Sequence, residues 1–270
     1  MIALVALGPL VHAAYFGTPA TTVFDEVHFG KFISSYFTGE YYFDIHPPLG
    51  KLILAGWGNL WGFEPGFSFA NIGDVYPDST YMALRFLPSL AGALLPLVIY
   101  LLALQLSLSP ITALGAGVLV ALDNALLVQS RLILLDPFLL LFGFGAVLAY
   151  LRWRAQVEQY NSRSLLAVAG ILSGMAISIK WTGASFLGLI GLLELIRLWQ
   201  TRHTTTRAQI GHFLLSLVII PTTVYLAVFA LHFSLLSRSG SGDAFMSARF
   251  QAGLAGSALA TTQYQPMNVL

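Results

Sequence analysis

The hydrophobic positions of this chain are grouped into seven long apolar segments, separated by short polar turns and by one long polar stretch. A helix that crosses a bilayer needs roughly 20 mostly apolar residues, so segments of this kind predict membrane spans. We interpret the first segment as a retained short membrane helix rather than a signal peptide, because it has no basic leader and no clear cleavage site. The predicted spans are 1–16, 82–106, 110–129, 133–152, 164–179, 182–200 and 209–233.

The long polar stretch, residues 17–81, is predicted to be a loop that carries interfacial helices. Loops of this length without a function are uncommon. One short helix is predicted to begin at Asp25, and a second is predicted to begin at about Leu49. The two prolines of "DIHPPLGK" exclude a helix through them and hold His46 on a rigid, non-helical elbow. That elbow is either the cap of the second helix or the wall of a pocket.

The last predicted span is followed by a glycine- and serine-rich segment, residues 234–270. The helical spacing of Met246 and Phe250 predicts that part of this segment folds into an interfacial helix over the site. We treat residues 1–270 as one transmembrane catalytic domain. Residues 17–81 and 234–270 are its two outer loops, and the second loop is expected to begin a missing C-terminal part.

Composition supports the membrane interpretation. The chain is 57% hydrophobic and only 9% charged, whereas a soluble domain carries about 25% charged residues. A net charge of +1 argues against a nucleic-acid partner. The absence of cysteine excludes disulfides, thiolate catalysis and cysteine-ligated metals.

The distribution of charge predicts the orientation in the membrane. Loops rich in Lys and Arg normally stay in the cytoplasm, and basic residues follow the fourth and sixth spans. This rule places the long first loop and the segment after residue 233 on the outer side. Only Glu158 and Glu194 of the 12 acidic residues then fall on the inner side. The basic residues that set this orientation are Arg152, Arg154, Arg163, Arg197, Arg202 and Arg207.

The same orientation gathers ionisable residues at the outer face. Charged groups at membrane depth are costly and usually functional, and arginine binds phosphate oxygens in pairs. Together these residues predict a site for an anionic, lipid-linked substrate. The candidates are Asp25, Glu26, His28, Asp44, His46, Arg85, Arg131, Asp136 and Lys180.

Each candidate also has a structural interpretation. Asp25 and Glu26 complement a helix dipole at its start, and Arg85 and Lys180 could reach the interface by snorkelling. Arg131 and Asp136 could form an ion pair across a turn. A metal site built from Asp25, Glu26 and His28 is a further alternative, although the spacing is not that of a dependable ligand set.

Six motifs carry a family resemblance that runs from about residue 20 to residue 255. The chain resembles the dolichyl-phosphate-mannose protein O-mannosyltransferases, which are multi-span glycosyltransferases of the GT-C type. The matching stretches are "FDEVHFGKF", "YYFDIHPPLGK", "LRFLPSLAGAL", "SRLILLDPFLLLF", "SIKWTG" and "GSGDAFMSARFQ".

The resemblance implies an all-α GT-C bundle that transfers mannose, with inversion, from a polyprenyl phosphate to Ser or Thr hydroxyls of secreted or membrane proteins. It assigns catalysis to the acidic pair, with Asp25 as the general base and Glu26 beside it. It places Arg85 near the donor phosphate, and His46 and Asp44 in the pocket wall. Arg131 and Lys180 are implied as helpers. No cofactor is implied, and a dimer is left open.

Two departures from the family pattern shape the expected source. The chain has no inserted soluble domain and no spans after the "GDAFM" loop, so we expect a bacterial, C-terminally truncated member in a plasma membrane; a eukaryotic member would lie in the endoplasmic reticulum. One alternative function is transfer of another sugar to a lipid or glycan. Another is a transporter, which would carry ionisable groups through the centre of the bundle and an inverted repeat.

Overall fold

Apolar helices make up most of the structure, as the hydrophobic segments predict. This computed structural model describes residues 2–156, 163–204 and 206–259. Within those ranges no strand forms, and three isolated bridges are the only β-type pairings. The helices are α1 (Ile2–Ala13), α2 (Glu26–Thr38), α3 (Leu49–Leu60), α4 (Tyr81–Gln105), α5 (Pro110–Leu122), α6 (Asn124–Ser130), α7 (Asp136–Gln156), α8 (Arg163–Ile179), α9 (Ala184–Gln200), α10 (Arg207–Leu214), α11 (Ile220–Leu235) and α12 (Ala248–Ala252).

The predicted spans correspond to these helices in order. By length and composition, four of the described helical segments could cross a membrane, or five when a bent pair is counted as one span. The first and fifth predicted spans are the shorter helices α1 and α8. This arrangement confirms the prediction of an all-α membrane bundle.

Two predicted spans are interrupted. The span predicted at 110–129 breaks into α5 and α6, with a bend of 55°. Asp123 adopts an extended backbone at the break, and its carboxylate accepts a hydrogen bond of 2.9 Å from the Leu126 amide. An aspartate in this position starts a new helix by satisfying a free amide. In the last span, α10 and α11 are joined by a π-helical segment, Leu215–Ile219.

The long polar loop folds onto one end of the bundle, which we call the α2–α3 end. Helix α2 begins immediately after Asp25, and α3 begins immediately after Pro48, as the sequence predicts. A Cβ added to Gly50 would lie 2.7 Å from the Leu135 side chain and 3.2 Å from that of Ile179. The first turn of α3 is therefore packed between the start of α7 and the end of α8.

The segment after α11 returns to the same end of the bundle. The Tyr41 amide donates to the Arg238 carbonyl at 2.8 Å, and the Gly242 amide donates to the Tyr41 carbonyl at 3.1 Å. The rings of Phe43 and Phe245 stack with centroids 4.7 Å apart. The expected interfacial helix is short: a 3₁₀ turn at Asp243–Phe245 is followed by α12, and Met246 lies between them rather than within a helix.

Candidate active site

Glu26 and Arg85 form a buried ion pair below the loop. Arg85 Nε and Nη2 donate to the two carboxylate oxygens of Glu26 at 2.8 and 2.7 Å. The Val23 amide, the Tyr76 hydroxyl and the Ile133 amide also donate to that carboxylate, at 2.8, 3.2 and 2.9 Å. One side chain thus ties together the start of α2, the loop, α4 and the segment before α7.

This burial changes the interpretation of both residues. The side chains of Glu26 and Arg85 are 0% exposed, and Arg85 also donates to the carbonyls of Pro19 and Thr21 at 2.7 and 3.0 Å. A donor phosphate cannot reach a guanidinium that is enclosed in this way. The geometry therefore argues against a phosphate-binding Arg85 and a catalytic Glu26, and it supports a structural ion pair.

Asp25 has a different environment from its neighbour. It precedes α2 and is partly exposed, and no hydrogen bond or ion pair to its carboxylate is found among the described residues. Its carboxylate is therefore free to take a proton from a bound group. His28 is exposed on the next turn, and with Glu26 committed to Arg85 the three residues do not form a metal site. Among the residues that the structure describes, no cluster of His, Asp and Glu could hold a metal.

Asp136 and Lys180 form a second, more accessible pair. Lys180 Nζ donates to both oxygens of Asp136 at 2.8 Å, and the side chains are 31% exposed for Asp136 and 19% for Lys180. The pair lies where α7 begins and α8 ends, next to the first turn of α3. A cation that is only partly covered can still approach an anionic ligand.

His46 lies beside a third pair, Asp44 and Lys51. Lys51 is fully buried and donates to the Asp44 carboxylate and, at 2.8 Å, to the His46 carbonyl. Burial lowers the pKa of His46, which also lies within the electrostatic reach of Asp44, Lys180, Lys51 and Asp136. The elbow thus joins the two ion pairs into one polar cluster at the α2–α3 end.

Arg131 lies outside this cluster. Its Nη2 donates to the Val11 carbonyl at the end of α1 at 2.7 Å, and its Nε is buried without a partner in the part of the chain that the structure describes. No ion pair between Arg131 and Asp136 is present there, because Asp136 binds Lys180 instead. The geometry thus argues against the helper role expected for Arg131.

Four residues in this region were not expected at the site. Besides Lys51, Tyr36, Tyr42 and His232 form a hydrogen-bonded row: Tyr42 donates to the Tyr36 hydroxyl at 2.7 Å, which lies 2.8 Å from His232 Nδ1. His232 carries a signal in the sequence, because an ionisable side chain inside an apolar span indicates a function. The tyrosines carry none, since an aromatic run before an elbow is equally typical of an interfacial loop.

The geometry can now be compared with known proteins. The sequence profile described as dolichyl-phosphate-mannose-protein mannosyltransferase matches residues 2–237. The chain belongs to this family. The dolichyl-phosphate-mannose–protein mannosyltransferase 1 of Candida albicans is 39% identical over 247 residues, which cover 88% of this chain and 28% of that protein. The protein O-mannosyl-transferase 1 of Danio rerio is 35% identical over 277 residues, which cover 100% of this chain and 38% of that protein.

Solved structures give the same picture of this mannosyltransferase family member. The structure of the Saccharomyces cerevisiae Pmt1–Pmt2 complex bound to the sugar donor matches 96% of this chain with a TM-score of 0.90 and 33% identity. The match covers 36% of that chain. An archaeal oligosaccharyltransferase from Archaeoglobus fulgidus matches with a TM-score of 0.56 and 14% identity, which shows a shared fold alone.

The comparisons refine two expectations about this mannosyltransferase family member. Family membership and the apolar helices make it an integral membrane protein. The relatives named here are fungal and animal proteins, so they give the expected bacterial source no support. The chain spans about 28% to 38% of the length of the curated relatives it matches.

Proposed function

We propose that this chain carries the donor site and the general base of a protein O-mannosyltransferase. The reaction transfers mannose, with inversion, from a polyprenyl phosphate to a Ser or Thr hydroxyl at the outer or luminal face. The observation that carries the proposal is the contrast at the start of α2. The Asp25 carboxylate is free, while the adjacent Glu26 holds the loop in place through Arg85.

The chemistry needs a base and a place for the leaving charge. A hydroxyl is a weak nucleophile until a positioned base takes its proton, and Asp25 is the free carboxylate offered for that role. Attack at the anomeric carbon breaks the bond to the phosphate oxygen, and the bond electrons leave with the polyprenyl phosphate. Lys180 is the partly exposed cation proposed to stabilise that developing charge.

An apolar groove next to Lys180 supports a lipid-linked donor. The groove has a volume of about 470 Å³ and lies between α8, α9 and α11. A polyprenyl chain is entirely apolar, so such a groove could hold it while the phosphate stays near Lys180. The main lining side chains are Ile177, Trp181, Leu187, Leu217, Pro221 and Tyr225.

Assembly and acceptor are part of the same proposal. The yeast structure contains two family members in one complex, and we extend to this chain a pairing with a second family member or a second copy. The acceptor is a secreted or membrane protein segment that approaches Asp25 from the aqueous side. Its hydroxyl reaches the sugar at the membrane surface.

A transfer assay tests the proposal. Membranes that contain the protein are given radiolabelled polyprenyl-phosphate mannose together with a Ser- and Thr-containing peptide, and label on the peptide is measured. We expect labelled peptide with mannose and little with polyprenyl-phosphate glucose. Label that appears only in lipid or glycan, or only with another sugar, would contradict the proposed acceptor or donor.

A further inference from the structure

A small cavity lies between the elbow and the end of α11. Its volume is about 130 Å³, several times the roughly 30 Å³ that one water molecule occupies in the liquid. Aromatic side chains form most of its walls, and Met246 from the returning segment closes one side. The aromatic residues that line it are Tyr41, Tyr42, Phe43, Phe229 and Phe233.

Three polar side chains line the same cavity: Asp44, His46 and His232. Lys51 binds one carboxylate oxygen of Asp44, and no hydrogen bond to the other oxygen is found among the described residues. Asp44 keeps 10% of its side chain exposed, whereas Lys51 is fully covered. The cavity therefore presents a carboxylate oxygen, and the cation behind it cannot reach a ligand.

This polarity selects the type of ligand. A phosphate would be repelled by Asp44, and the positive charge of Lys51 is already used. A neutral ligand with several hydroxyl groups fits better, because a carboxylate accepts strong hydrogen bonds from hydroxyls. Aromatic faces cover the apolar C–H faces of a ring, and pockets of this kind combine apolar walls with a few placed polar groups.

The polar groups are held in place from behind. Lys51 lies 5.7 Å from the centroid of the Phe32 ring and 5.9 Å from that of Tyr42. Tyr42 in turn donates to Tyr36, which is hydrogen-bonded to His232. Because these partners leave Asp44 little freedom, a ligand would lose little entropy in ordering it.

We propose that this cavity binds the sugar ring of the donor and that the free oxygen of Asp44 accepts hydrogen bonds from its hydroxyls. The inference rests on the proposed function and adds a division of labour to it. The phosphate lies at Lys180, the sugar lies against Asp44 and His46, and the elbow between the two ion pairs joins the subsites. Lys51 acts as a positioning residue for Asp44.

Equilibrium binding of two probes tests this division. Purified protein in lipid nanodiscs is titrated with polyprenyl-phosphate mannose and, separately, with polyprenyl phosphate that carries no sugar. We expect Asp44→Asn to reduce the preference for the mannosylated probe by roughly 10- to 100-fold, the range for a hydrogen bond to a charged group. Affinity for the bare phosphate should not change. Glu40→Gln, an exposed carboxylate in the same stretch, is the matched control and should retain the preference.

A second variant covers the case in which Asp44→Asn leaves Lys51 unpaired and prevents folding. Met246→Phe fills the cavity from its opposite wall and leaves both ion pairs intact, so it should also abolish the preference for mannose. If both probes bind and neither variant changes their ratio, the inference is wrong and the proposed function stands. If wild-type protein binds neither probe, the proposed function fails and this subsite fails with it.

Discussion

Asp25 and Glu26 occupy adjacent positions before and at the start of α2, yet only Glu26 is buried. The sequence predicts an acidic pair at a helix start and cannot assign different roles to its members. The difference arises because Glu26 meets Arg85, which lies 59 positions further along the chain. Contacts between such distant residues depend on packing and cannot be read from spacing.

The buried pair gives the first prediction. Glu26→Gln removes the negative charge and leaves the Arg85 guanidinium buried without its counter-ion, which should reduce the free energy of unfolding by about 3 to 5 kcal/mol. The unfolding temperature of detergent-solubilised protein measures this loss. Glu64→Gln, at an exposed loop position, is the control and should unfold like wild type.

The alternative role of Arg85 predicts a different result. If the guanidinium bound the donor phosphate, Glu26→Gln would leave the unfolding temperature unchanged and would weaken donor binding. That outcome would return Arg85 to the donor site. The pair would then no longer explain how the loop is held.

At the scale of elements, most helix positions could be predicted from the hydrophobic pattern. The break at Asp123 has a readable cause, because aspartate is a preferred residue before a helix start. The π-helical segment Leu215–Ile219 has no comparable signal. It lies where α8 and the last span pack closely, so its cause is tertiary.

Close packing of α8 against the last span gives the second prediction. A Cβ added to Gly170 would lie 1.8 Å from the Ser216 carbonyl oxygen, a backbone atom that cannot turn aside. Gly170→Ala should therefore destabilise the protein by about 1 to 3 kcal/mol, the usual cost of overpacking. Unfolding in detergent measures it.

Gly188 on α9 is the matched control for this substitution. A Cβ there would have no atom within 4 Å, and alanine favours a helix over glycine by about 1 kcal/mol. Gly188→Ala should therefore be neutral or stabilising. Equal effects of the two substitutions would contradict the close approach of Gly170 to the Ser216 carbonyl.

At the scale of the whole molecule, the charge pattern alone predicted that separate ionisable residues would meet at one end of the bundle. The structure places Asp136, Lys180 and the elbow together there. The return of the segment after α11 to Tyr41 could not be predicted in detail. Its position depends on backbone hydrogen bonds between Arg238 and residues 39 and 41, and such pairing leaves no pattern in side-chain hydrophobicity.

Orientation in the membrane gives the third prediction. The chain contains no cysteine, so single cysteines can be labelled without background. Ser241→Cys, in the exposed segment after α11, should react with an impermeant reagent only from the outer or luminal side. Thr204→Cys, between α9 and α10, should react only from the cytoplasmic side. Labelling of both positions from one side would reverse or overturn the predicted topology.

The central claim is that Asp25 is the base, and one paired measurement on Asp25→Asn tests it most directly. Mannose transfer to a Ser- and Thr-containing peptide and equilibrium binding of polyprenyl-phosphate mannose are measured on the same sample. Asparagine has nearly the same shape but cannot accept the proton. We expect transfer to fall at least 100-fold with donor affinity within about twofold of wild type. Transfer at the wild-type rate would contradict the assignment of Asp25 as the base.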